Sequence, residues 1–95
     1  MGRHVLSPRA QEDLDAIWDF SAERWGEDRA DSYVRGIWAG IRTVAGDPRR
    51  GHACDLRDGY FQYSVGRHVL FFKLIADGVD IIRILHQSMN FDLHL

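Results

Sequence analysis

The sequence has 95 residues, 45% of them hydrophobic and 27% charged, with a formal net charge of −2. This composition predicts one globular domain over residues 1–95, and it excludes both a disordered chain and a strongly basic surface that binds nucleic acid without specificity. A single cysteine excludes an internal disulfide, and the lack of a long apolar run or a signal-peptide pattern predicts a protein of the cytoplasm.

The N-terminal half predicts a short strand and two helices. His4–Leu6 is a short apolar run, and Ser7-Pro8 is typical of a helix N-cap followed by proline at the first helical position. Apolar residues then recur every three or four positions until Gly26, which is placed to end the helix. A second apolar stripe covers residues 30–45 and stops at Gly46-Asp47-Pro48. Because little more than one glycine separates the helices, they are expected to form an antiparallel hairpin.

Two glycines stand inside the second predicted helix. Gly36 and Gly40 lie about one turn apart, and each costs a helix about 1 kcal/mol relative to alanine. We therefore expect another backbone to approach the helix closely at these positions.

The C-terminal half predicts a loop and three strands. Residues 49–59 show no apolar period and are expected to form a loop. The predicted strands are residues 60–65, 68–76 and 79–86. Tight turns at Gly66-Arg67 and Asp77-Gly78 join them. The middle strand is apolar on both faces, which places it at the centre of the sheet.

This element order, β-α-α-β-β-β, predicts an α+β domain. The helical hairpin packs on one face of a small, mainly antiparallel C-terminal sheet. Its helices cover only one face, so the other apolar face needs a partner or the chain's own tail. The tail places apolar residues up to its end: Met89, Phe91, Leu93 and Leu95. Their alternation fits a strand, a turn of helix or an extended wrap, and in each case we expect the tail to dock on the helices or the sheet.

Four stretches of the sequence resemble the ParE branch of the RelE/ParE toxin superfamily. They are LSPRAQEDLDAIWDFSAERWG, AGDPRRG, LRDGYFQYSVGRHVLFFK and IIRILHQSMNFDLHL. Together they cover nearly the whole chain in the same order. The first stretch is shared broadly across the superfamily, whereas GRHVLFF and RILHQSMNFDLHL are more specific to ParE.

The resemblance implies the toxin of a bacterial toxin–antitoxin pair that acts on DNA gyrase. It implies a ParD-like antitoxin with a ribbon-helix-helix DNA-binding part and a C-terminal segment that wraps the toxin. The expected assembly is a hetero-oligomer in the cytoplasm that meets DNA only through the antitoxin and has no membrane partner. The toxin is expected to act by binding, without enzymatic activity and without a cofactor.

Candidate contact residues follow from this resemblance together with exposed aromatic and arginine side chains. The candidate antitoxin-binding residues are Trp18, Trp38, Arg42, Arg57, Tyr60, Arg67 and Arg83. The candidate target-binding residues are Arg49, Arg50, His86, Met89, Phe91 and Leu95. Arginine suits such contacts because its rigid fork pairs with carboxylates and phosphates.

Other readings of the charged residues stay open. Arg83 lies inside the last predicted strand, where alternation gives it one face with Ile81 and Leu85, so its head must find a partner or reach the sheet rim. The acids of the first helix are expected to form a solvated face. His52 and Cys54 lack a second pair at zinc spacing, so no metal site is expected.

Two alternative functions also stay open. RelE-like relatives cleave mRNA on the ribosome, and His86 with Arg83 is the weak catalytic candidate here. Such cleavage needs a base, an acid and a cationic clamp around one phosphodiester, so a structural, hydrogen-bonded His86 is preferred. The other alternative is a non-toxic component that only assists the antitoxin's repression.

Overall fold

The computed structural model describes residues 2–95. Its strands are β1 (Arg3–Leu6), β2 (His52–Ala53), β3 (Tyr60–Val65), β4 (His68–Ile75) and β5 (Gly78–His86). Its helices are α1 (Pro8–Trp25) and α2 (Glu27–Gly46), with short 3-10 helices at Pro48–Arg50 and Phe91–Leu93. The predicted α+β fold is confirmed. No helix within residues 2–95 combines the length and the apolar character needed to cross a membrane.

The five strands form one sheet in the order β1-β5-β4-β3-β2. β1 runs parallel to β5, and the remaining neighbours are antiparallel. β4 lies at the centre of the sheet, as the apolar residues on both of its faces predict. The predicted loop over residues 49–59 is wrong at His52–Ala53, which pair with β3 as the short edge strand β2. A two-residue strand carries no apolar period of its own, and only its partner strand defines it.

The helical hairpin begins and reverses where the sequence predicts. The Ser7 hydroxyl oxygen accepts a hydrogen bond from the Ala10 N–H at 3.0 Å, which caps α1. The same hydroxyl donates to the Ile82 carbonyl at 2.7 Å and so ties the start of the helix to β5. Gly26 has a φ of 90°, which favours glycine, and its N–H donates to the Ala22 carbonyl. The chain therefore reverses without a linker.

One face of the sheet packs against both helices. This core contains Leu14 and Ile17 of α1, Ile37 and Ile41 of α2, Leu70 and Phe72 of β4, and Ile81 and Ile84 of β5. Most of these side chains are fully buried. Each fully buried aliphatic or aromatic side chain stabilises the fold by about 1.5–3 kcal/mol before the loss of conformational entropy is counted, so this face holds the hairpin on the sheet.

A bulge in β5 changes which residues face the helices. Phe71 pairs with Arg83 and Phe72 pairs with Ile81, which leaves Ile82 as an extra residue. An extra residue shifts the side-chain alternation by one position. The predicted grouping of Ile81 with Arg83 and Leu85 on one face is therefore wrong: Ile81 lies in the helix-facing core, whereas Leu85 packs on the opposite face.

The end of the chain covers the second face of the sheet. Phe91 and Leu95 pack against a buried cluster of Cys54, Val69, Phe71 and Leu85. The rings of Phe91 and Phe71 lie 4.9 Å apart at 70°. The tail thus docks on the sheet through a 3-10 helix, and Leu93, which a continuous strand would align with Phe91 and Leu95, is 77% exposed.

The two glycines inside α2 have different surroundings. A methyl group added at Gly36 meets nothing within 4 Å. A methyl group added at Gly40 clashes with the side chain of Val65 on β3. The expected close approach therefore occurs only at Gly40, and its partner is a β-branched side chain rather than a backbone.

Alanine substitutions at these glycines are expected to change the free energy of unfolding in opposite directions. Gly36→Ala gains about 1 kcal/mol of helix propensity because its methyl group points into open space. Gly40→Ala lowers stability because the stiff Val65 side chain must move, which costs about 1–3 kcal/mol. Urea unfolding followed by circular dichroism measures both changes. Equal stabilisation by the two substitutions would contradict the packing described at Gly40.

Candidate functional site

A cleft of about 880 Å³ opens between the helical hairpin and one end of the sheet. Its walls come from the C-terminal half of α1, the start of α2, the β3–β4 turn, and the end of β5 with the segment that follows it. The cleft gathers residues from both halves of the chain.

Large apolar side chains beside the cleft are partly exposed to solvent. Phe20 is 55% exposed, Trp25 is 52% exposed and Met89 is 36% exposed. The Arg24 guanidinium lies 5.3 Å from the centre of the Phe20 ring and 5.8 Å from that of Trp25. Exposed apolar groups that cluster beside a concavity are typical of a surface that binds another molecule.

The floor of the cleft holds a tyrosine–histidine hydrogen bond. The Tyr33 hydroxyl and His68 Nδ1 lie 2.6 Å apart. The Arg67 N–H donates to the same hydroxyl oxygen at 3.1 Å. Because a phenol oxygen that already accepts from the Arg67 N–H is a weak second acceptor, we assign Tyr33 as the donor to His68 Nδ1. With this assignment the neutral His68 carries its proton on Nε2.

His86 adopts the same tautomer for a different reason. The Ser88 N–H donates to His86 Nδ1 at 3.1 Å, and the Ser88 hydroxyl lies 2.7 Å from that nitrogen. His86 Nδ1 therefore accepts a hydrogen bond, and the proton lies on Nε2. The rings of His68 and His86 meet edge to face, 5.1 Å apart. Because metal ions bind the unprotonated nitrogen, this pair is arranged to donate hydrogen bonds rather than to coordinate a metal.

The charge state of His68 follows from its surroundings. The pKa of His68 is lowered from 6.5 to about 4, mainly by burial and also by the neighbouring His86, whereas Asp13 acts in the opposite direction. His68 is therefore neutral at pH 7. A neutral N–H donor of this kind binds a carboxylate or carbonyl oxygen without carrying charge.

Asp13 also lines the cleft, but its carboxylate has internal partners. It accepts hydrogen bonds from Arg83 Nε at 2.8 Å and Arg83 Nη2 at 2.9 Å, and from the Ile84 N–H at 2.9 Å. The hydrogen bond with Asp13 raises the pKa of Arg83. The expectation that the acids of α1 form a solvated face is therefore wrong for Asp13. The side chains of this ion pair are only 11% and 15% exposed.

Because Asp13 is paired with Arg83, the polar groups of the cleft that can still bind a ligand are hydrogen-bond donors. They are the guanidinium groups of Arg29 and Arg67, which are exposed, and the Nε2–H groups of His68 and His86. A ligand that fits must offer apolar groups to the walls and oxygen acceptors to the floor.

Comparison with known proteins identifies the chain. Residues 5–91 match the family described as the ParE toxin of the type II toxin–antitoxin system parDE. The chain belongs to the ParE toxin family. This ParE chain is 44% identical over 95 residues to Toxin ParE1 of Mycobacterium tuberculosis, covering 98% of this chain and 97% of that protein. It is 45% identical over 96 residues to Toxin ParE1 of Caulobacter vibrioides, covering 100% and 99% of the two chains.

A solved structure has the same fold as this ParE toxin. It is a chain of the chromosomal ParDE toxin–antitoxin system from P. aeruginosa, with a TM-score of 0.79 and 20% identity. The match covers 90% of this ParE chain and 96% of that chain. At 20% identity this likeness shows a shared fold, and the family match identifies the protein as a ParE toxin of a type II toxin–antitoxin system.

The candidate antitoxin-binding residues are spread over the ParE surface rather than brought together. Trp18 Nε1–H donates to Asp31 on the hairpin, and Trp38 lies beside His4 at the opposite edge. Arg42 is exposed on α2, Arg57 lies over the Tyr60 ring, and Arg67 lines the cleft. Trp18 and Trp38 are partly buried. All of these residues stay predictions of antitoxin contacts.

Arg83 takes another place. Only 9% of its surface is exposed, because its guanidinium bonds to Asp13 and to the His94 carbonyl. The guanidinium therefore has internal partners, and an antitoxin contact through Arg83 stays a prediction.

The candidate target-binding residues fall into three places. His86 and Met89 line the cleft, and His86 is hydrogen-bonded, as the preferred reading expects. Phe91 and Leu95 face the sheet rather than solvent. The exposed residues Arg49 and Arg50 lie on a 3-10 helix near the edge strand β2, where Arg49 Nε donates to Asp47 at 3.0 Å.

Sequence reasoning did not select four residues of the cleft: Phe20, Trp25, Tyr33 and His68. Phe20 lies outside the apolar stripe of α1, and a large aromatic residue off the stripe is the signal that points to a second surface. Trp25, Tyr33 and His68 carry no such signal, since the first two continue helix stripes and the third begins a strand.

Replacement of His68 by asparagine is expected to reduce the loss of stability on acidification. The unfolded chain binds a proton on His68 near pH 6.5, whereas the folded protein binds it only near pH 4, so stability falls as pH drops through this window. The expected difference between the proteins is on the order of 1 kcal/mol, less than the full shift implies because the ring is only half-buried. The asparagine oxygen replaces Nδ1 as the acceptor for Tyr33.

Urea unfolding at about pH 7 and about pH 4.5 measures this difference. His52→Asn is the matched control, because His52 is an exposed histidine on β2. The control should lose as much stability as the unaltered protein. Equal pH dependence in all three proteins would contradict a proton-resistant His68.

Proposed function

We propose that this ParE toxin inhibits DNA gyrase by binding it, and that a ParD-like antitoxin neutralises the toxin in a tight complex. The family match over residues 5–91 carries this proposal. The two relatives at 44% and 45% identity, both named Toxin ParE1, support it. Action on gyrase places the toxin in the cytoplasm, and the ribbon-helix-helix part of the antitoxin supplies the only contact with DNA.

The cleft supports binding rather than bond cleavage. General-base catalysis needs a nitrogen lone pair aimed at the substrate, but His86 Nδ1 accepts an internal hydrogen bond from the Ser88 N–H, so this imidazole presents Nε2–H. His68 also stays neutral at pH 7, because its pKa is about 4, so it supplies no cation to a phosphodiester. We therefore assign no catalytic residue and no cofactor to the toxin.

The same cleft suits a segment of the antitoxin. Phe20, Trp25 and Met89 offer apolar contacts to a peptide, while Arg67 and the histidines offer donors to its carboxylates. An amphipathic segment with apolar and acidic residues satisfies both parts of the cleft at once. This is the antitoxin surface that we propose, with Arg67 retained from the residues predicted in sequence.

The target-facing surface is proposed at the C-terminal segment. Leu93 is 77% exposed, although its neighbours Phe91 and Leu95 pack on the sheet. An apolar side chain held outward on a docked segment is suited to contact a second protein. Phe91 and Leu95 then hold the segment on the sheet while Leu93 contacts gyrase. Arg49 and Arg50 remain candidates for contact with the same partner.

A gyrase supercoiling assay with purified toxin tests the proposed function. Inhibition of supercoiling that is reversed by the antitoxin is the expected result. A parallel assay of mRNA cleavage on ribosomes addresses the nuclease alternative, for which the cluster of His68, His86 and Arg67 is the favouring observation. Cleaved mRNA with unaffected gyrase would overturn the proposal, and normal growth on expression without antitoxin would favour the co-repressor alternative.

Trp25→Ala is expected to weaken antitoxin binding without loss of gyrase inhibition. Aromatic residues buried at interfaces contribute about 2 kcal/mol or more, so the dissociation constant should rise about 30-fold. Leu74→Ala is the matched control, because Leu74 on β4 is 54% exposed and lies outside the cleft. Titration calorimetry measures both. Equal affinities for the two variants would remove the cleft from the antitoxin surface.

Leu93→Ser is expected to reduce gyrase inhibition at least tenfold, while the thermal midpoint and antitoxin binding stay unchanged. The reason is that Leu93 contributes little to the core, so its loss affects only a contact made by its exposed side chain. Removal of residues 91–95 is a less selective change, because it also uncovers Phe71. Full inhibition by the Leu93→Ser protein would show that the segment does not face gyrase through this residue.

A further inference from the structure

Two arginines hold the C-terminal segment over the second face of the sheet. We call residues 89–95 the strap. Arg83 Nη1 donates to the His94 carbonyl at 2.9 Å, and Arg57 Nη1 donates to the Leu95 carbonyl. Both contacts reach main-chain atoms, so they hold the strap whatever its side chains are.

Arg83 connects the strap to the first helix. While one of its nitrogens bonds to His94, Nε and Nη2 form the paired hydrogen bonds to Asp13. A guanidinium group can serve two partners in this way because its donors form a rigid planar fork. Asp13 thus orients the side chain that holds the strap, across 70 positions of sequence from Asp13 to Arg83.

The strap has few other contacts with the fold. Its backbone hydrogen bonds, among the residues described, are local turns, such as those from Leu93 to Asn90 and from His94 to Phe91. Only Phe91 and Leu95 pack on the cluster beneath, whereas Met89 and Leu93 are exposed. Segments with few buried contacts open at a lower free energy than the whole domain.

We infer that Asp13 and Arg83 are positioning residues that keep the strap closed, and that the strap opens without unfolding of the domain. Opening exposes the apolar face formed by Val69, Phe71 and Leu85. This inference rests on the proposed function, because the strap carries the surface that we propose faces gyrase. The Asp13–Arg83 pair then determines how often that surface is ordered.

Cys54 reports the opening directly. Cys54 is 6% exposed and lies in the cluster on which Phe91 and Leu95 pack, together with Tyr60. Its thiolate attacks an aromatic disulfide reagent, forms a mixed disulfide and releases one coloured thiolate. The labelling rate therefore measures the fraction of molecules in which the thiol is uncovered. No gyrase is present, so the result is independent of the proposed target.

Labelling as a function of urea separates strap opening from global unfolding. Strap opening exposes little surface and gives a rate that hardly changes at low urea, whereas global unfolding gives a rate that rises steeply. We expect both in the unaltered protein: a flat regime at low urea, where strap opening sets the rate, and a steep regime at higher urea, where global unfolding sets it. Arg83→Gln should raise the rate in the flat regime at least tenfold. A rate that rises steeply from the lowest urea concentration would show that the strap does not open by itself.

Further variants distinguish positioning from general stability. Val44→Ala creates a cavity in the core on the helix side, so it should raise only the steep regime. Arg83→Lys keeps a charge beside Asp13 but loses the fork, and Arg57→Ala removes the last contact of the strap together with the contact over the Tyr60 ring. Both should raise the flat regime, which keeps the test open if Arg83→Gln fails to fold. An unchanged flat regime in both would overturn the inference.

Discussion

A partly buried carboxylate on α1 anchors the last strand of this toxin. Asp13 accepts hydrogen bonds from the Arg83 guanidinium and from the Ile84 N–H, beyond the point where β1 stops pairing with β5 at Ile81. One side chain thus satisfies an edge donor and neutralises a charge that lies against the core. Removal of one partner from a fully buried pair costs about 3–5 kcal/mol because the other charge is left uncompensated, and the cost is smaller here because both side chains keep some exposure. The strap depends on this contact, because the same Arg83 side chain also bonds to the His94 carbonyl.

The cleft follows from the same arrangement of helix and strand. Leu14 and Ile17 of α1 enter the core, but Phe20 and Trp25 remain exposed beside the end of β5. Since Asp13 gives its oxygens to internal partners, it does not compete for the donors of the cleft. The fold therefore leaves apolar walls and free N–H groups together, although the chain as a whole has a formal charge of −2.

Sequence reasoning predicts the parts of this fold that local patterns define. The N-cap at Ser7, the reversal at Gly26 and the turn at Gly66 each depend on neighbouring residues, and each is present in the structure. Helix and strand periods also predict the order of the helices and strands along the chain. The bulge at Ile82 and the edge strand His52–Ala53 are different, because each is defined only by its partner strand.

The site depends still more on contacts between distant residues. Asp13 and Arg83 are 70 positions apart, and Tyr33 and His68 are 35 positions apart. A sequence pattern shows that Arg83 needs a partner, but it does not identify Asp13 among the acids of the first helix. The tautomers of the two histidines are even less accessible, since they depend on main-chain donors placed by turns.

The neutral state of His68 bears on the kind of ligand that the cleft can hold. Exposed acids at the end of the hairpin, among them Glu23, Glu27 and Asp28, repel a chain of phosphates. His68 offsets little of that repulsion, because an uncharged N–H attracts an acceptor only at hydrogen-bond distance. A nucleic acid brings one charge with every nucleotide and buries little apolar surface on Phe20 or Trp25. A polypeptide that combines apolar side chains with a few carboxylates meets the walls and the donors together, so the cleft favours a protein ligand over a nucleic acid.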